Sequence, residues 1–410
     1  MQFFILFLFL LSNTHSQIVL NLKKEEKSDF YSNFFSELKT TFEIGNPIQT
    51  IESKITFSNN YFFIIGEGDN SYFNKEKSTT FKLGNKTDVL NLPFKEGYLS
   101  TDNFNFENVN GKKNKTNFNF LYALKPNKKE NFYTQIGFSI FNSPHGTKYN
   151  IISQLNNQKI INSYVYYFDF NKDNSKIVIG EYAEKYQSKT RSKLVTKQID
   201  FVIVPEYIQI EFDNFIFGNN TLDYKININF DFHIKGLIGN QLFKKKVNEL
   251  FFKDLIDKKI CSEYTYKEYL FYECNSNLEI KKLPSVKFYH KEMNVTFEFN
   301  YNELFQKYND KYYFMITFYL KLSDKWTFGY LFLEKYKTVI NSDRRIIGFY
   351  IPNFSNIDGK SFSWISILII FILLSFVVGL SVYYYRLLKN KRKTRVNEIE
   401  EDIDYTPINT

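Results

Sequence analysis

Cysteine is almost missing from this chain of 410 residues: it has 2, Cys261 and Cys274, and no histidine stands beside either. Two such ligands are too few for a zinc site, so neither a metal nor another cofactor is expected. Glycine (16) and proline (8) are scarce for a large β-rich chain, and many turns must therefore rest on Asn, Asp and Ser. No nucleic-acid motif accompanies the lysine clusters at Lys112, Lys113 and Lys115 or at Lys244 to Lys246. Those clusters read as solvated loops, and the net charge of +9 does not make nucleic acid a partner.

What is abundant points to strands. Aromatic residues make up 19% of the chain, with Phe 46 and Tyr 31, and flat rings suit a pleated, half-buried surface. The length allows two lobes, since single cores stop growing at about 250 to 300 residues.

Two apolar runs frame the chain. Met1 to Ser16 holds the run Phe3 to Leu11 and then a short polar segment, the order of a secretory signal peptide, although no Lys or Arg precedes it. Trp364 to Tyr385 is free of charge, and at about 1.5 Å per residue it is long enough to cross about 30 Å of hydrocarbon. Arg386, Lys389, Lys391, Arg392, Lys393 and Arg395 follow at once, which makes that flank cytoplasmic by the positive-inside rule. A single-pass type I membrane protein is expected, with its outer segment extracellular or luminal on the secretory or endolysosomal route.

The outer segment carries sequons at Asn85, Asn114, Asn219, Asn294 and Asn353, each a candidate glycan site. Cys261 and Cys274 lie on the same side, where an oxidising compartment favours one local disulfide worth about 3 kcal/mol. Beyond the membrane the tail turns acidic. Within it, Tyr405-Thr406-Pro407-Ile408 resembles the Tyr-x-x-hydrophobic signal read by clathrin adaptors, and a short acidic tail without that role is the alternative.

The outer segment also carries a succession of family motifs. Ile44-Gly45-Asn46-Pro47-Ile48-Gln49, followed by the apolar stretch to Ile65, resembles the opening of the pepsin-like aspartic proteases. Tyr72 to Lys82 looks like that family's Phe-x-Pro-x-x-Ser-Ser-Thr-Tyr segment, and Gly97 to Phe106 like the return strand of its flap hairpin, with Val89 to Phe94 as the outgoing arm. Gln135 to Ile140 takes the place of Gly-Ile-Leu-Gly-Leu, Asn150 to Ile161 reads as a helix, and Gln241 to Leu255 as another. Later, Leu283-Pro284-Ser285-Val286-Lys287-Phe288 resembles the family's Leu-Pro-x-Ile-x-Phe, and Trp326 to Asn341 with Ile346 to Phe349 resembles its closing motifs, with Tyr330 where the family has an acid after its glycine.

The resemblance implies a mainly β, bilobal pepsin-like acid protease fold, here with a C-terminal single transmembrane helix. Its expected parts are a signal peptide (1–16), an N-terminal approach (17–37), lobes at 38–188 and 189–352, a juxtamembrane stretch (353–363), the span (364–385) and a cytoplasmic tail (386–410). The catalytic Asp-Thr-Gly, however, is missing. Counting along the chain puts the first catalytic position on Phe57, followed by Ser58 and Asn59; the second falls on Asp231, followed by Phe232 and His233. Pepsin-like catalysis needs two carboxylates sharing a proton, so the resemblance implies a scaffold without peptidase activity. Its cleft is expected to bind a peptide or protein. An active aspartic endopeptidase with an unusual site and a structural surface glycoprotein are the rival readings.

Overall fold

Short-range alternation builds most of the regular structure. On strand Leu38–Ile44 the residues Leu38, Thr40, Phe42 and Ile44 are buried, and those between them face outward. The computed structural model describes residues 17–24, 27–56, 61–66, 73–87, 94–126, 133–138, 149–170, 174–183, 193–198, 208–223, 225–231, 233–321, 325–351, 375 and 377–389. These form a thirteen-stranded, a nine-stranded and a four-stranded sheet. Helices are short. The two expected ones are present as Ile151–Asn157 and as Gln241–Val247, the latter extended by the π turn Asn248–Phe252 and by Lys253–Asp257. Asn150 and Asn240 cap them by accepting backbone N–H groups, as an Asn-rich chain poor in glycine would be expected to manage.

The chain divides into two units, 1–353 and 354–410. Within the first, one continuous cluster of buried side chains runs from Ile18 to Ile351, so the halves share a core. They also share a sheet: Lys337–Asn341 pairs with Val165–Asp169, and Lys193–Gln198 pairs with Ile346–Ile351. In the second unit residues 377–389 are helical. Among the described residues no helix is long and apolar enough to cross a membrane; residues 364–374 and 376 of the apolar run lie outside them.

The N-terminal approach is not a polar lead-in. Ile18–Lys24 is a strand inside the thirteen-stranded sheet, with Ile18 opposite Ile179 and Leu22 opposite Thr40. Its alternating Ile18, Leu20 and Leu22 are buried, a pattern that the following run of charges obscures in the sequence. Helix Phe30–Phe34, capped by Asp29, then crosses to the C-terminal half. There Phe30 stacks on Tyr313 with ring centres 3.9 Å apart, Tyr31 stacks on Tyr264 at 4.4 Å, and Phe34 meets Phe271 edge-on. The Tyr31 hydroxyl donates to Glu273 at 2.8 Å, and Lys311 donates to the same carboxylate.

Three distant segments meet at one buried carboxylate. Asp102 is fully buried and accepts from Ser78 Oγ at 2.8 Å, Thr80 Oγ1 at 2.5 Å and its neighbour's N–H at 2.7 Å. Ser78 Oγ in turn accepts the Asn46 N–H, while Gly45, at φ 86°, donates to the Asn103 carbonyl. Gly45 takes a left-handed conformation that side chains resist, and an added Cβ there would lie 2.9 Å from Ser78 Oγ. The Ile-Gly turn and the Ser-Thr-Thr segment are thus held by a single acid.

Asp102→Ala is expected to lower unfolding stability by about 3 kcal/mol, because two hydroxyls and an N–H lose their partner in a dry site. An unchanged urea midpoint would refute the role given to that acid. Glu273 gives a second test. Burial works against its charged form, but hydrogen bonds from Lys311 and Tyr31 prevail and hold its pKa below the usual range. Its contribution is therefore complete above the unfolded value of 4.5 and is lost as the pH falls below that through the lowered folded value. Thermal unfolding of Glu273→Gln should show a weaker loss of stability over that acid range than the parent.

Candidate functional site

The two halves repeat one local topology. In the first, Gln49–Thr56 runs parallel to Gln135–Gly137 with Thr56 opposite Gly137, and Phe62–Ile65 returns antiparallel to that same strand with Phe62 opposite Ile136. In the second, Ile226–Phe230 runs parallel to Trp326–Phe328 with Phe230 opposite Phe328, and Leu237–Gly239 returns with Leu237 opposite Phe328. In each half a strand and a return strand flank a third strand on its two sides. The return strands in turn lie parallel to Lys113–Pro126 and Ile316–Tyr319 respectively.

Hydrogen bonds fix which loop residues correspond. Asp231 N–H donates to the Phe328 carbonyl at 3.0 Å, and Phe138 N–H donates to the Thr56 carbonyl at 2.8 Å. In a parallel ladder a bonding residue donates to the neighbour before its opposite and accepts from the neighbour after it. The opposite of Asp231 is thus Gly329 and that of Thr56 is Gly137. Leu237 and Phe62 each come six residues later and each face the residue preceding that glycine. Register therefore makes Thr56 the counterpart of Asp231, one residue before the position that counting along the chain selects. Thr56 is buried, with 2% of its surface exposed. Phe57, Ser58, Asn59 and Phe232 lie outside the described residues.

Backbone hydrogen bonds tie the second loop to the segment that begins at Gly329. Gly329, Tyr330 and Leu331 donate to the carbonyls of Gly236, Ile234 and Lys235 at 3.0, 2.9 and 2.9 Å. Lys235 N–H donates to the Phe34 carbonyl at 2.7 Å, which ties the N-terminal helix to the loop. A Cβ on Gly329 would sit 2.0 Å from the Ile234 carbonyl oxygen, and one on Gly236 would sit 2.2 Å from that of Met315. Asp231 is partly exposed, and its Oδ1 accepts the His233 N–H at 2.9 Å. His233 Nδ1 is buried and makes no hydrogen bond among the described residues.

Around this loop the charges are uneven. Burial and the nearby Lys24 push the Lys235 amine below its ordinary value, against the pull of Glu334. Lys24 pairs with Glu334 at 2.6 Å and lies 4.1 Å above the ring of Tyr330, which is buried where the family has an acid. Beside Asp231 stands an aromatic wall: Phe35 packs on Tyr269 at 4.6 Å, and Tyr269 on Tyr319 at 5.3 Å. Burial raises the Tyr269 hydroxyl, with Tyr319 and the Asp231 charge adding to it. Among the described residues no second carboxylate is hydrogen-bonded to Asp231, and no three His, Cys, Asp or Glu side chains gather to hold a metal.

Other candidates fall as follows. Cys261 and Cys274 form a disulfide, directly opposite each other in their hairpin, with an S–S distance of 2.06 Å. Asn85, Asn219 and Asn294 are exposed, whereas Asn114 is partly buried. Asn353, Tyr405 and Ile408 lie outside the described residues. The return strand of the flap is the long Phe94–Asn108, but its partner arm is Lys82–Thr87, earlier than the Val89 to Phe94 stretch that the sequence suggests. Residues 88–93 lie outside the described ones. What sequence reasoning missed is the contact of helix Phe30–Phe34 with the second loop, for which the i, i+1, i+4, i+5 spacing of Phe30, Tyr31, Phe34 and Phe35 was the available signal.

Gly329→Ala is expected to lower stability by about 3 kcal/mol, since the loop carbonyl it would strike is backbone and has no rotamer to escape into. Chemical denaturation measures this, and a midpoint equal to the parent's would show that the loop does not seat as described.

Comparison with known proteins agrees with this topology. The solved structures of basic 7S globulin from soybean and conglutin gamma from lupine seeds share the fold with a TM-score of 0.62 each, at 12% and 10% identity. Each match covers 82% of this chain and 95% of the other. The DNA mismatch repair protein MutL of Clostridium botulinum is 26% identical over 206 residues, which are 48% of this chain and 27% of that protein. So short and distant a likeness establishes no family. The family model for eukaryotic aspartyl proteases, by contrast, matches residues 58–350, most of the chain, and the chain belongs to that family.

Proposed function

We propose that this chain is a membrane-anchored, catalytically silent aspartic-protease-like protein that holds an extended peptide or protein segment in the groove between lobes at 38–188 and 189–352. The observation that carries the reading is Thr56. Pepsin-type hydrolysis depends on two carboxylates close enough to share one proton, and the split in their pKa values exists only when both are present. By register a hydroxyl stands at the first position. The two loops then read Thr56-Phe57-Ser58 and Asp231-Phe232-His233, with phenylalanine in the same place and no glycine in either. A lone Asp231 without a partner acid offers at most part of the roughly 10² to 10⁴ that general-base catalysis supplies. The aromatic wall of Phe35, Tyr269 and Tyr319 beside it suits the side chains of an extended ligand.

Anchorage rests on the second apolar run. Its helical part exposes Val377 (59%), Leu380 (53%) and Tyr385 (68%), a degree of apolar exposure that water disfavours and lipid accepts. The basic flank assigns the C-terminus to the cytoplasm, and Tyr405 with Ile408 would offer the tail to a clathrin adaptor. The family match itself favours a second reading, an active endopeptidase with an atypical site.

Detergent-solubilised full chain, offered a mixed peptide library at acid and neutral pH, separates the readings. The expected result is retention of peptides without turnover, retained within about two-fold in Asp231→Ala. Pepstatin-sensitive cleavage at acid pH that disappears in Asp231→Ala would establish the enzyme instead, and neither capture nor cleavage would leave a structural surface glycoprotein.

A further inference from the structure

The sequons differ in where the fold puts them. The thirteen-stranded sheet ends on Lys82–Thr87, and the four-stranded sheet ends on Asn220–Leu222 and on Val295–Phe299. Asn85 lies in the first of these end strands, where the register slips between Leu83 and Lys86 and turns it outward. Asn219 occupies the turn entering the second, after Gly218 at φ 58°. Asn294, at φ 50°, occupies the turn entering the third, and the Tyr289 hydroxyl bonds its Oδ1, so that Nδ2 stays unengaged. The sequon threonines Thr87, Thr221 and Thr296 all fall within the end strands themselves. Asn114 is different: it pairs opposite Phe106 within Lys113–Pro126, and its Nδ2 is enclosed with no hydrogen-bond partner among the described residues.

We infer that Asn85, Asn219 and Asn294 carry N-linked glycans that shield three open sheet edges, and that folded molecules carry none on Asn114. An end strand offers a row of unpaired N–H and C=O groups to any other extended chain, and a bulky hydrophilic group at the edge blocks that approach. On the third edge the Tyr336 hydroxyl already bonds the N–H and C=O of Glu298, which leaves the half near Asn294 to be covered. The donor is a lipid-pyrophosphate-linked oligosaccharide. A bond forms between Asn Nδ2 and C1 of the first sugar, the bond from C1 to the pyrophosphate oxygen breaks, the lipid pyrophosphate leaves with the electron pair, and Nδ2 gives up one proton. A sugar on Asn114 would have to occupy the enclosed space around its Nδ2, so a chain modified there does not reach this fold. The inference rests on the luminal placement of the outer segment proposed above.

The test is site mapping on full chain made in a glycosylating secretory host, by enzymatic deglycosylation in ¹⁸O water and peptide mass spectrometry. Label is expected at 85, 219 and 294 and not at 114. Native deglycosylation of the folded protein should then raise the aggregated fraction several-fold on size exclusion, as should N85Q/N219Q/N294Q, whereas N114Q should match the parent. Label at Asn114, or an unchanged aggregated fraction after native deglycosylation, would overturn the inference alone. No label on any sequon, Asn353 included, would overturn it together with the luminal placement.

Discussion

The closeness of two stretches of backbone at Gly329 is the constraint on which the rest of the second half depends. The loop between Ile226–Phe230 and Leu237–Gly239 buries Ile234 in one cluster with Phe30 and Phe34 and is tied down by three successive amides that reach across to its carbonyls. Buried backbone groups must be paired somewhere, and here they pair over a distance that no Cβ would tolerate. That contact sets where Asp231 points, keeps the Lys235 amide aimed at the Phe34 carbonyl, and through Phe34 brings the N-terminal helix onto the C-terminal half. A strand and a loop thus meet at one residue without a side chain, beside the aromatic seam that seats the incoming helix.

Such a device is indifferent to what the loop carries. The hydrogen bonds at Thr56 and across the second loop belong to amides and carbonyls, so the ladder there does not depend on which side chain is present. Chemistry and architecture separate cleanly for this reason, and a fold is a poor witness to an activity. What a pair of carboxylates contributes in pepsin-type hydrolysis is electrostatic, the sharing of one proton between two acids, and backbone hydrogen bonding neither supplies nor excludes it.

Much of the scaffold was legible because its signals are local or are fixed by one contact. The turn at Gly45 and the Ser78 to Thr80 segment keep their spacing since both bond to Asp102 or its neighbour, and the local disulfide expected of Cys261 and Cys274 joins residues that stand opposite each other in one hairpin. A count along the chain selects Phe57 and ladder register matches Asp231 with Thr56, a difference of one that arises because a count contains no pairing information whereas the ladder, through Gly137 and Phe138, does. The strand at 18–24 was hidden for a related cause: three inward side chains in seven are outweighed by the lysines and glutamates that follow, and the partner that Ile18, Leu20 and Leu22 all face lies more than 150 residues away. The aromatic seam of Phe30, Tyr31 and Phe34 had a visible spacing but no visible destination, since its partners Tyr264, Phe271 and Tyr313 are equally remote.

The location of Ile18–Lys24 has a bearing on how the molecule is made. It sits in the middle of a sheet whose other members include Lys337–Asn341 and Ile346–Ile351, far along the chain. Non-local pairing of this kind is slow, because the chain between the partners must be ordered before the contact rewards it. The sheet therefore closes only once Ile346–Ile351 is available to it, so an earlier, shorter chain lacks part of its hydrogen-bonding partners.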